Sequence, residues 1–413
     1  MKAAAVAAAV VVGVGVAALT LAIGAPVAHA GDDPRGRVVF GRGTSLWITD
    51  PKGKGPAVEL AALPGPAADV RAIRSDGDGD TLLIDHGGRW YVAAMPTAGT
   101  LATLTELPCG PGPARLTPTG VHVLCGDPAR PGKAQIVRLR DGQQFPRDAD
   151  LAGATVVERG GVRELVFVDQ GAVVAASLRD QRQRRVVAPT APLRGLLAAP
   201  DGRRAVGTYQ RTMRSPKLGP PRDELMGFAL DGTGVPRMLM RNGVAIDWSW
   251  NGEWLLVQEG GNACITRGLG GQYKCWKGFT AVSLSPDGAY ALVLGPRSGA
   301  AKAAAAPPPP TDDDGEGGED DGELDEVAVP LPKGPLSLYR ARLAGAFTDP
   351  PALVETVIDG AALWLPEASA ASRVLTGDRT SPAAGEADRS TAGVTAPGTP
   401  ARPPSDAATA ATP

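Results

Sequence analysis

Histidine is almost missing from this chain. Three occur in 413 residues, at His29, His86 and His122. Neither of the last two lies in a His-x-x-x-His or Gly-x-Ser-x-Gly context, and no glycine-rich phosphate loop opens a helical stretch. The zinc, serine-hydrolase and nucleotide-binding classes that those motifs carry are therefore excluded. A serine or cysteine nucleophile would also lack its ordinary base. His122, on Val121-His122-Val123-Leu124, reads as a solvent-facing strand residue, and Asp85-His86 is an acid–histidine pair near a strand end. Long helices are missing as well, because 54 glycines and 39 prolines interrupt the chain too often. Aromatic residues make up only 4%, so small side chains are expected to fill the core. A formal charge of −2 singles out neither nucleic acid nor a membrane surface as partner.

What is present is one phrase, repeated. Ser283-Leu284-Ser285-Pro286-Asp287-Gly288-Ala289-Tyr290-Ala291-Leu292-Val293-Leu294 is a strand, a tight turn and a second strand. The phrase returns around Pro200-Asp201-Gly202, Trp250-Asn251-Gly252, Pro118-Thr119-Gly120 and Gly160-Gly161. Apolar alternation broken by a turn that wants a positive φ is the local signature of a β-hairpin. The turn glycines at 79, 120, 161, 202, 252 and 288 stand 41, 41, 41, 50 and 36 residues apart. A period near forty with strand-like alternation predicts four-stranded propeller blades rather than paired helices. Third strands follow each hairpin, as in Arg89-Trp90-Tyr91-Val92 and Leu336-Ser337-Leu338-Tyr339-Arg340.

This phrase resembles the WD-like repeats of TolB-type propellers, whose hallmark is a Ser-Pro-Asp-Gly turn before a small-apolar strand. The hallmark is complete at Ser285-Pro286-Asp287-Gly288 and nearly so at Ala199-Pro200-Asp201-Gly202. The resemblance covers most of residues 31–365. It does not extend to the α/β domain that precedes the TolB propeller, so it implies no Tol–Pal role.

The ends of the chain read differently. Met1-Lys2, an apolar run over residues 3–23, Pro26 and Ala28-His29-Ala30 form a secretory signal over residues 1–30. The alternative is an uncleaved membrane anchor. Residues 31–365 are the propeller. Gly36 stands where a first blade's turn belongs, but that blade lacks its innermost strand, and Ala361-Ala362-Leu363-Trp364-Leu365 supplies it. Seven turn positions predict seven blades, with six or eight as alternatives because Asp359-Gly360 can also be read as a turn. Residues 298–335, rich in proline, alanine and acidic side chains, read as a disordered insertion, and residues 366–413 as a disordered Ala/Pro/Thr/Ser tail.

Candidate sites are few. Cys109 with Cys125, and Cys264 with Cys275, are close enough in sequence to pair within single blades in an oxidising compartment, and no Cys-x-x-Cys suggests zinc. Asp76, Asp78 and Asp80 alternate in a loop as the first ligands of a calcium site do, but position six is Thr81 and position twelve Gly87. The acidic run 312–323 also fits calcium-loop spacing, without the flanking helix. Arg179, Arg182, Arg184 and Arg185 read as a solvated outer strand. Trp248, Trp250 and Trp254 would share one face of a strand, with Asp247 opposite, and pack between blades. The resulting expectation is an exported monomeric propeller, periplasmic or secreted, acting as a non-catalytic scaffold for protein or peptide partners. No cofactor is expected unless calcium binds. The rivals are a calcium-dependent lactonase-like or hydrolase-like enzyme and a membrane-anchored sensor ectodomain.

Overall fold

A computed structural model describes residues 33–367, apart from 97–99, 160–161, 179–183, 190–192, 211–222, 234, 272, 297–335 and 344–349. The expected signal segment, the acidic insertion, the tail beyond residue 367, the Gly160-Gly161 turn and Arg179 and Arg182 lie outside the described residues.

The described strands form seven four-stranded antiparallel sheets. Each sheet is a blade, and successive sheets follow in chain order around a ring. Blade 1 is the exception in order: its innermost strand, Ala362–Leu365, comes last in the chain and pairs with Arg37–Arg42, placing Trp364 opposite Val38 and Leu365 opposite Arg37. Ser45–Thr49 and Val58–Ala62 complete that blade. The ring is thus all-β, seven-bladed and closed by the last strand. Helix among the described residues is limited to two short 3-10 turns, Ala67–Asp69 and Leu151–Gly153.

The sequence makes blades because the second strands are apolar on both faces. Leu255, Leu256 and Val257 are all fully buried, as are Leu292, Val293 and Leu294. Side chains alternate across a strand, so Leu256 packs toward blade 7 while Leu255 and Val257 pack toward blade 5. The same division holds around the ring. Seven hydrophobic clusters occur, one at each junction of neighbouring blades. Alanine and valine fill much of these layers. The few aromatic residues act as wedges: Trp90, Trp248 and Trp364 are buried at three junctions, with indole N–H groups donating to the carbonyls of Gly112 (2.9 Å), Leu197 (3.3 Å) and Arg35 (2.8 Å).

Among the described residues, the hairpin turns between first and second strands lie on one face of the ring. At blade 7, Gly288 N donates to Ser285 O (2.9 Å), and Ser285 Oγ accepts from Tyr290 N (2.9 Å) while donating to Asp287 Oδ1 (2.6 Å). Ser249 plays the same part in blade 6 and Thr117 in blade 3. In blade 2 a carboxylate replaces the hydroxyl. Asp76 Oδ1 accepts from Asp80 N (2.9 Å) and Thr81 N (3.1 Å). In these four turns the first position keeps its capping oxygen through Ser, Thr and Asp, whereas blade 5 has Ala199 there and closes its turn with Gly202 N donating to Ala199 O (2.9 Å). The glycines at 36, 79, 120, 202, 252 and 288 all have φ between +65° and +103°, a region L-residues avoid.

Candidate functional site

Asp76, Asp78, Asp80 and the four cysteines all lie among the described residues. Asp76 is buried and engaged in its turn, Asp80 is half-buried and Asp78 exposed. Their oxygens do not converge. The group of acidic, cysteine and histidine donors lying within 4.8 Å of one another among the described residues is Glu259, Cys264 and Cys275. Both of those cysteines are in a disulfide, so no thiolate is available there. Cys109 is bonded to Cys125, and Cys264 to Cys275 across the third and outer strands of blade 6. Tyr273 donates its hydroxyl to Glu259 beside the second disulfide, and burial together with that carboxylate pushes the phenol well above its usual range.

His86 and His122 each lie within a strand of the ring. His86 is buried, with Nε2 3.1 Å from Pro66 O, and Asp85 faces away, its Oδ1 accepting from Gly88 N (3.0 Å). His122 does not face solvent as its strand pattern suggested. It is half-buried, its Nδ1 is enclosed without a hydrogen-bond partner, and burial followed by Arg163, Arg138, Arg147 and Arg140 lowers its pKa. Arg185 is not simply solvated either. Its Nη1 donates to Leu230 O of blade 5 (2.9 Å), tying two blades together.

The tryptophans overturn the shared-face expectation. Trp248 ends the innermost strand Gly243–Trp248 of blade 6, Trp254 begins the second strand Trp254–Glu259, and Trp250 lies in the turn between them. The chain reverses at that turn, so Trp248 packs toward blade 5 and Trp254 toward blade 7. Trp250 projects across the axis of the ring. A Cβ built on Gly77, in the turn of blade 2, would lie 3.4 Å from its Cζ3. Below it, Asp247 is directed away from Trp248. Its Oδ2 accepts from Leu284 N of blade 7 (2.8 Å) and its Oδ1 from Trp248 N (2.9 Å). Burial pushes the carboxyl up to about 6, opposed by those two amides and by the charge of Arg74 across the axis. Arg37 is buried beside the same face, with none of its three guanidinium nitrogens hydrogen-bonded. Burial lowers its pKa and the charge of Asp80 opposes that shift.

An open groove of about 550 Å³ lies on the turn face between blades 5 and 6. Three guanidiniums line it, Arg204, Arg237 and Arg267, with one carboxylate, Glu253, the Asn251 amide and the loop Gly268-Leu269-Gly270. Arg204 Nη1 donates to Gly252 O (2.7 Å), and Arg267 Nη2 is 2.6 Å from Glu253 Oε1. Arg237 is exposed and carries no hydrogen bond or ion pair among the described residues. These arginines were not apparent as a group in the sequence, because 63 positions separate Arg204 from Arg267. The usable signal is their common register: each stands at the turn-face end of its strand, Arg204–Gln210, Arg237–Arg241 or Asn262–Arg267.

No family model and no curated protein matches the chain. Solved structures do. Hydrazine synthase of Kuenenia stuttgartiensis is 14% identical with a TM-score of 0.43, over 66% of this chain and 96% of that one. TolB from Acinetobacter baumannii is 11% identical with a TM-score of 0.42, over 57% of this chain and 62% of that one. A TolB homologue from Agrobacterium tumefaciens is 11% identical with a TM-score of 0.39, over 59% of this chain and 89% of that one. What the ring has in common with these TolB propellers is the bladed architecture.

Proposed function

We propose that this protein is an exported binding scaffold of the cell envelope, whose turn face receives a protein or peptide partner. The observation that carries the reading is the form of that face. Trp250 spans its axis against Gly77, while the groove between blades 5 and 6 is open and lined by side chains that donate and accept hydrogen bonds. Ligands that thread a ring's centre need an open mouth, whereas a peptide needs an accessible groove with convergent polar groups. Export is supported by two disulfides, each closing within one blade, since such bonds persist in oxidising compartments.

The test is a cross-linked capture from the envelope fraction with the full chain, read by mass spectrometry. A ring carrying Trp250→Ala and Arg237→Glu serves as the comparison. A protein enriched by the native face and lost with the altered one is the expected result. Equal recovery of every protein by both baits would overturn the scaffold reading.

A further inference from the structure

We propose that the groove between blades 5 and 6 is an acidic-peptide site, in which the guanidiniums of Arg204, Arg237 and Arg267 receive successive carboxylates of an extended segment of a partner protein. This rests on the scaffold reading and specifies the chemistry of its partner. Three cations stand against one anion in the groove, and the anion, Glu253, is already held by Arg267. Even with the Asp201 carboxylate packed against Gly252 beside the groove, cations outnumber anions there, in a ring whose chain is slightly acidic overall. Such a patch concentrates anions from solution.

The arrangement favours a chain over a single small anion. Arg204 and Arg237 belong to blade 5 and Arg267 to blade 6, so the cations stand on both walls of a space of about 550 Å³. One phosphate is too small to fill that volume. An extended peptide with several carboxylates can, and guanidinium forks bind carboxylates with paired hydrogen bonds. The roles of the three arginines differ. Arg204 anchors the wall through Gly252 O, Arg267 is oriented by Glu253 and lies 6.0 Å from the Trp254 ring centre, and Arg237 is the uncommitted one.

The experiment uses the full chain and fluorescein-labelled hexaglutamate, with hexalysine and inorganic phosphate as the other probes, read by anisotropy and calorimetry. Hexaglutamate should bind, hexalysine should not, and raising sodium chloride from about 50 to about 500 mM should weaken binding severalfold, because exposed charge pairs are screened. Arg237→Glu should weaken hexaglutamate binding by about tenfold or more, with an unchanged melting temperature because the side chain makes no contact that holds the fold. Arg140→Glu, a charge reversal at an exposed position in blade 3, should leave binding unchanged. Hexaglutamate binding equal in native and Arg237→Glu protein would overturn the proposal. So would tight phosphate binding without hexaglutamate binding, which identifies a small-anion site. If the envelope capture returns a partner that Arg237→Glu alone retains in full but the Trp250→Ala, Arg237→Glu ring loses, the groove proposal falls and the scaffold reading stands. If capture returns no partner, the scaffold reading itself falls.

Discussion

Asp247 concentrates the electrostatic tension of the ring at one residue. Its carboxyl accepts two backbone amides at the junction of blades 6 and 7, yet burial outweighs them and raises its pKa from 3.8 to about 6. The folded chain therefore holds this proton more tightly than the unfolded chain does. The contribution to stability is full below about pH 4 and is lost as the pH rises through 6. A rise of that size corresponds to about 3 kcal/mol, and the partial exposure of Asp247 reduces the expected effect to about 1–2 kcal/mol. Asp247→Asn keeps an oxygen for one of the amides and removes the charge. Urea titrations of both proteins at pH 4, 5, 6 and 7 should show a loss of native stability across this window that is flattened in the variant. Parallel curves for the two proteins would show that Asp247 is not the group responsible.

At the scale of single elements, the hairpin and its staples set local stability. Cys109 lies just before the innermost strand Gly110–Leu116 of blade 3, and Cys125 lies on the second strand His122–Asp127. That first strand pairs irregularly, with a shift in register between Gly110 and Arg115. The disulfide compensates for the missing ladder. Closing a loop of 16 residues should contribute about 3 kcal/mol, by restricting the unfolded chain. A Cys109→Ala, Cys125→Ala double variant should lose about 2–3 kcal/mol in chemical denaturation under oxidising conditions. A loss below about 0.5 kcal/mol would mean that the strand is held by packing alone.

This is also the scale at which the sequence was most legible. The turn glycines and the local cysteine pairs are set by residues a few positions apart, so spacing alone located them. The three tryptophans show where such reading stops. A period of two assigns a shared face only along one unbroken strand, and the turn at Asn251-Gly252 reverses the chain between Trp248 and Trp254. Arg204, Arg237 and Arg267 were invisible for a different reason. Nothing near any of them in sequence marks a site, and they converge only because blades 5 and 6 bring their turn-face ends together. The alternating carboxylates of Asp76, Asp78 and Asp80 were legible as a pattern, but the pattern did not reveal that Asp76 is occupied in capping its own turn.

For the whole molecule, the ring depends on one short strand. Ala362–Leu365 forms the inner edge of blade 1 and lies next to blades 7 and 2. Trp364 stacks on Tyr290 with 5.8 Å between ring centres, its backbone N–H donates to Ser283 Oγ (2.9 Å), and Leu365 is fully enclosed against blade 2. Losing a buried tryptophan and a buried leucine costs on the order of 3–5 and 2–5 kcal/mol respectively. Together that is comparable with the entire stability of an ordinary domain, about 5–15 kcal/mol. A chain ending after Glu367 should therefore unfold in one cooperative transition close to that of the full chain. A chain ending after Gly360 exposes the inner edge of Arg37–Arg42 and should lose that transition, or aggregate through the unpaired strand. Circular dichroism melts and analytical ultracentrifugation of the two truncations decide between these outcomes. A shorter protein that melted cooperatively within a few degrees of the longer one, as a monomer, would show that the other six blades hold the ring without their clasp.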